Sequence, residues 1–130
     1  MTARGVLLVA LGGACGAVVR YAVNFWCLHA LGPKFPWGTL VVNVAGCFLL
    51  GWLVQVANSW PAVSQSVQLG LATGFLGALT TFSTFGVQTL QLWQRSAFLG
   101  LLNVAGNGAL GIAAAALGIL VATWMTTPTS

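Results

Sequence analysis

The chain has 130 residues, of which 58% are hydrophobic and 3% charged, with four Lys or Arg, one His and no Asp or Glu. A water-soluble surface cannot be built from so few charges, so the composition excludes a soluble domain and predicts an all-α integral membrane protein. It also excludes carboxylate acid–base catalysis and carboxylate-based proton coupling, because the residues for either are missing. The scattered cations make neither a nucleic-acid patch nor a polybasic lipid-binding cluster.

A helical span needs about 20 mostly apolar residues. Runs of this kind lie near 5–29, 38–58, 67–92 and 97–124, and they predict one four-helix transmembrane domain over 1–130. The first run is too long and too rich in glycine for a secretory leader, and is read as a mature helix. Arg20 falls deep inside it and His29 at its far boundary. Cys15, Cys27 and Cys47 all lie within spans, without Cys-x-x-Cys spacing or clustered His, which suits packing better than metal binding. No nucleophile–base pair points to an enzyme.

Between the first two spans, Gly32-Pro33-Lys34-Phe35-Pro36 forms a turn, since each proline lacks an amide donor and disfavours helical angles before it. Ser59-Trp60-Pro61 closes the second span in the same way, and Trp26, Trp60, Trp93 and Trp124 mark membrane interfaces. Thr126, Thr127, Pro128, Thr129 and Ser130 make a polar, frayed tail. Both termini then share one side with the cation-free loop 58–66, while Lys34 and Arg95 lie opposite. The Lys and Arg counts differ by only about one, so orientation is weakly specified and the chain can pair antiparallel with itself; the slight excess also suits a fixed orientation.

Glycines recur at helix-packing spacing: Gly12 with Gly16, Gly70 with Gly74, and Gly46, Gly51, Gly108 and Gly111 on neighbouring turns. In lipid such pairs let backbones approach closely. Asn43 lies in the middle of the second span, where its amide needs a partner: either a neighbouring helix or an anion to which its NH2 donates.

In the third span, Gly74, Gly77, Thr80, Thr81, Ser83 and Thr84 combine weak helix formers with side chains that compete for backbone hydrogen bonds. Two readings stay open: a break near 77–84 whose freed carbonyls bind a sodium ion, or a kinked helix whose hydroxyls bond back to the preceding turn. Phe82 and Phe85, three apart, share a helix face; their positive ring edges can line an anion path, or the rings can pack in a core. Ser83, Thr84, Gln88, Asn103 and Asn107 add donors. A donor-rich, acid-free lining suits a small, strongly hydrated anion.

Three stretches, Gly12-Gly-Ala-Cys-Gly-Ala-Val-Val-Arg20-Tyr21, Gly38-Thr-Leu-Val-Val-Asn43-Val-Ala-Gly46 and Gly74-Phe-Leu-Gly77-Ala-Leu-Thr80-Thr-Phe82-Ser83-Thr84-Phe85, closely resemble the Fluc (CrcB) fluoride channel family. Asn103, Gly111 and Gly118 are similar to its fourth helix. The resemblance implies an antiparallel dual-topology homodimer in the cell membrane, the inner or plasma membrane, with a broken third helix. Two pores at its interface would export fluoride passively. It implies a fluoride pathway of Asn43, Phe82, Ser83, Thr84, Phe85, Gln88 and Asn107, with Arg20 at the vestibule. The carbonyls of Gly77 and Thr80 from both copies would hold a structural sodium ion. Partners would be fluoride, a second copy and membrane lipid, without nucleic acid. Arg20 alone also fits a snorkelling structural arginine.

The chain departs from that pattern at Gln88, where family members often carry Glu, and at Asn107, where they often carry Ser. Paired heterodimers of fixed orientation also occur in the family. A small multidrug resistance-type exporter, also a four-helix dimer, is the alternative, but it depends on a membrane carboxylate that this chain lacks. A second alternative is a packing subunit of a larger complex.

Overall fold

The computed structural model describes residues 2–127, so Pro128, Thr129 and Ser130 of the expected tail lie outside the described residues. Helix α1 is Ala3–Leu31, capped where the Thr2 hydroxyl accepts from the Gly5 N–H at 3.2 Å, and it ends at Gly32, whose φ of 79° suits only glycine. Helix α2 is Trp37–Ser59. Helix α3 covers 65–79, starts with Ser64 accepting from the Val67 N–H at 3.4 Å, and runs through a π-helical stretch, Leu69–Leu76. Helix α4 is Phe82–Arg95 and α5 is Ala97–Thr126, the latter with a π turn at Gly106–Leu110.

Four spans are long and apolar enough to cross a membrane, with Gln65–Arg95 forming the third. The chain is a multi-pass, all-helical membrane protein. Its helices extend up to three residues beyond the apolar runs, because hydroxyl caps and polar last-turn residues such as Arg95 continue them into the interface.

Glycine builds the helix pairs. Helix α1 lies along α3 and α2 along α5. A Cβ at Gly16 would overlap the Phe75 carbonyl oxygen, and one at Gly118 would overlap that of Phe48. Gly46 takes the Thr80 methyl, leaving no space for a side chain of its own. At Gly108 the expected close packing is not found within the chain: it is exposed, and a methyl group added there would meet no atom within 4 Å. Val42, Leu53, Leu76 and Leu79 form the small core between α2 and α3, with Val23, Trp52 and Phe75 against it.

The Gly32–Gly38 connection meets Arg95 around one cavity, while Thr2 and Gly5 meet Gln65 and Leu69 at another. Lys34 and Arg95 therefore belong to one end of the bundle, and the N-terminus to the other.

Gly118→Val is expected to force α2 and α5 apart and lower stability by about 1–3 kcal/mol. Gly108→Ala, which meets nothing within the chain, should leave the stability of a single chain within about 0.5 kcal/mol. Thermal unfolding in detergent, followed by size-exclusion recovery, measures both.

Candidate functional site

The site grows from two residues whose backbone is extended. Thr80 has φ −79° and ψ 154°, and Thr81 has φ −150° and ψ 114°. An extended pair at membrane depth exposes peptide groups that must find partners in protein. Thr80 is tied back to α3, its N–H and hydroxyl both donating to the Leu76 carbonyl at 3.1 and 3.0 Å. Thr81 is paired across the bundle: its N–H donates to Asn43 Oδ1 at 2.9 Å, and its carbonyl accepts from Asn43 Nδ2 at 3.3 Å. The side-chain amide stands in for a neighbouring strand.

The Thr81 side chain caps α4. Its hydroxyl accepts from the Thr84 N–H at 3.3 Å and donates to Thr84 Oγ1 at 3.0 Å, with Ser83 Oγ 3.4 Å away. Accepting that bond leaves the Thr84 hydroxyl proton free to point elsewhere. Both Ser83 and Thr84 are exposed. The positive end of the α4 dipole thus coincides with two accessible hydroxyls.

Asn43 also reaches α5. Its Nδ2 donates to Asn107 Oδ1 at 2.8 Å, and Asn107 Nδ2 donates to both the carbonyl and Oδ1 of Asn103 at 3.1 Å. Asn103, fully buried, donates to Thr89 Oγ1 at 2.8 Å, and Thr89 donates to the Phe85 carbonyl at 2.8 Å. Within this chain, therefore, both amide hydrogens of Asn43 already have acceptors, as in the helix-to-helix reading of that residue. The 3.3 Å bond to Thr81 is the weaker.

A groove of about 420 Å³ opens beside this network. It is lined by Asn43, Gly77, Thr80, Phe82, Phe85 and Asn107 together with small and aliphatic residues. The two rings lie 5.6 Å apart, tilted by 48°, and Phe82 is 84% exposed at the lip. Of the residues expected on the fluoride path or at the sodium site, these six come together on the groove, and Ser83 and Thr84 sit at the adjoining helix end. Because the Thr81 N–H is taken by Asn43, the Gly77 carbonyl lacks the donor that a continuous helix would give it.

Gln88 and Arg20 are not on the groove. Gln88 lies further along α4 and around its axis, on a polar face formed by Thr84, Gln88, Gln91 and Arg95 at helical spacing. With Asn24, Gln91 and Arg95 it lines the cavity of about 360 Å³ at the Lys34 end. Its buried Oε1, like Oγ1 of the fully buried Thr39, has no hydrogen-bond partner among the described residues. Arg20 is half-buried on α1 and lines neither cavity; its carbonyl accepts from Asn24 Nδ2 at 2.8 Å. Thr89 and Asn24 carry no conspicuous motif. The i, i+4 spacing from Phe85 and Arg20 is the only local signal for either.

A multi-pass helical membrane protein with an uncharged polar network beside an aromatic-lipped groove is the class these features define. Residues 7–119 match the family described as "CrcB-like protein, Camphor Resistance (CrcB)", and the chain belongs to it. It is 43% identical over 115 residues to the "Fluoride-specific ion channel FluC" of Synechococcus sp. (strain JA-2-3B'a(2-13)), covering 88% of each chain. It is 44% identical over 116 residues to the protein of that name from Rhizobium etli (strain CFN 42), and 45% identical over 116 residues to that from Acidobacterium capsulatum; each match covers 88% of this chain and 93% of the relative. These relatives are named as ion channels, a non-enzymatic class.

Asn43→Leu should leave both peptide groups of Thr81 unpaired. A lost buried hydrogen bond of about 1–3 kcal/mol predicts roughly tenfold or faster deuterium exchange at the Thr81 amide, read by mass spectrometry in detergent, while α1 amides keep their protection.

Proposed function

We propose that the chain is a fluoride channel of the inner or plasma membrane that lets fluoride leave the cell passively. The carrying observation is the groove beside the Asn43–Asn107 network, whose lip is a Phe82 ring left 84% exposed. The relatives' names supply the ion. A groove with a bare ring at its edge is an unfinished passage, and a second, antiparallel copy completes it, giving two equivalent pores at the interface.

In this reading Phe82 and Phe85 turn their positive edges toward the ion. Ser83 and Thr84 offer hydroxyls at the α4 N-terminus, and Asn43 exchanges its longer bond to Thr81 for one to fluoride. Asn107 holds Asn43 from behind and borders the same path. Gln88 continues the polar face of α4 toward the Lys34 end, and Arg20 draws anions toward the vestibule. No carboxylate anywhere in the chain repels the ion.

A sodium ion fits the Gly77 and Thr80 carbonyls, because Gly77 is exposed at the groove and its carbonyl is deprived of the Thr81 N–H. Bound there with the same residues of a second copy, it would supply a fixed positive charge joining the two copies.

Purified protein in liposomes should release fluoride with no proton gradient, and the electrode trace should report it. Phe82→Ile should slow that release by about tenfold or more, the loss of a ring-edge contact of a kcal/mol or two, while its size-exclusion volume stays that of the wild type. Unslowed release in Phe82→Ile would return the rings to a packing role. Flux that requires a proton gradient would favour an exporter instead.

A further inference from the structure

The polar network of α2, α4 and α5 has a direction. It starts at the Thr81 N–H, a group that can only donate, and ends at the Phe85 carbonyl, which can only accept. Between them stand three carboxamides and one hydroxyl. The Thr81 N–H requires an oxygen from Asn43, so the Asn43 NH2 must face Asn107 and meet its oxygen. The Asn107 NH2 then faces Asn103 Oδ1, and the Asn103 NH2 faces Thr89, whose proton completes the series on Phe85. Turning the Asn43 or Asn107 amide over sets NH2 against N–H or NH2 at one side and oxygen against oxygen at the other, and turning Asn103 sets its NH2 against that of Asn107 and draws the Thr89 proton away from the Phe85 carbonyl.

We propose that Asn103 and Thr89 are positioning residues of the anion path: from outside the groove they fix which way the Asn43 and Asn107 amides face, and they hold the Phe85 carbonyl. This rests on the fluoride-channel reading for its effect on flux, but not for its geometry. Asn103 is 0% exposed and cannot touch a permeating ion. Neither Asn103 nor Thr89 lines the groove. Their influence passes through Asn107, which does. Each bond made by an amide polarises the next, so removing the last hydroxyl loosens the first amide.

The test uses Thr89→Val, which keeps the volume and removes the hydroxyl, beside Thr89→Ser, which keeps the hydroxyl. Side-chain amide exchange is read by NMR on 15N-asparagine-labelled full-length protein in lipid nanodiscs, and fluoride release is read from liposomes. Thr89→Val should speed side-chain exchange at Asn43 and Asn107, which Thr89 does not contact, by about tenfold, and slow fluoride release by a similar factor. Thr89→Ser should restore both, and Asn24, outside the network, should not change in either variant. Unchanged Asn43 exchange in a folded Thr89→Val protein would overturn the proposal. So would slowed flux in that variant with unchanged exchange, which marks a packing defect. If Thr89→Val fails to fold, Thr89→Ala removes the same hydroxyl with a smaller side chain: Asn43 exchange should again quicken by about tenfold, and wild-type exchange would overturn the proposal. Should the wild type pass no fluoride while the exchange pattern holds, the function assigned above fails and the oriented network stands.

Discussion

The pairing of one carboxamide with both backbone groups of Thr81 is the constraint around which the bundle is organised. An extended residue in hydrocarbon carries a donor and an acceptor that no helix satisfies, each costing several kcal/mol if left bare. Asn43 answers both at once, with bonds of 2.9 and 3.3 Å. For it to do so, α2 must lie at a fixed height and rotation beside α3. The contact between Gly46 and the Thr80 methyl, one turn along α2 from Asn43, meets that requirement by close approach.

The same constraint reaches α5. Helix α2 touches α5 backbone to backbone at Gly51 and Gly118, which brings Asn107 within 2.8 Å of Asn43. The π turn at Gly106–Leu110 contains Asn107, and Asn107, four residues after Asn103, shares its helix face and bonds to it at 3.1 Å. The polar groups of the Asn43–Asn107–Asn103–Thr89 network are thus satisfied by amides, hydroxyls and carbonyls alone. In a chain without carboxylates no buried ion pair is available to do this, and a neutral network avoids the desolvation cost such a pair would carry.

Large apolar side chains are exposed along every span of the isolated chain, as a lipid-facing surface requires. Phe82 differs from the rest in its surroundings. Trp124, 83% exposed, lies near the end of α5, where an interfacial indole is at home, whereas Phe82 stands beside Thr80, Thr81 and Asn43. Hydrocarbon matches the ring but not those neighbours. The proposed second copy resolves the mismatch by covering the groove with protein.

Composition and hydrophobic run length alone determined that this is a four-span helical membrane protein, because lipid imposes a length and an apolarity that can be counted along a chain. The turns at Pro33, Pro36 and Pro61 were legible for a similarly local reason, the missing amide donor of proline. Asn43, Phe82, Phe85 and Asn107 stood out as unusual residue types in apolar or polar stretches. Their partners did not. That Asn43 meets Thr81, 38 residues away, and that Thr89 rather than Gln88 joins the asparagine network, depends on how helices rotate and rise against one another. Only the packed bundle decided those matters, since a side chain's helical spacing records which residues share a face and not which distant group that face will meet.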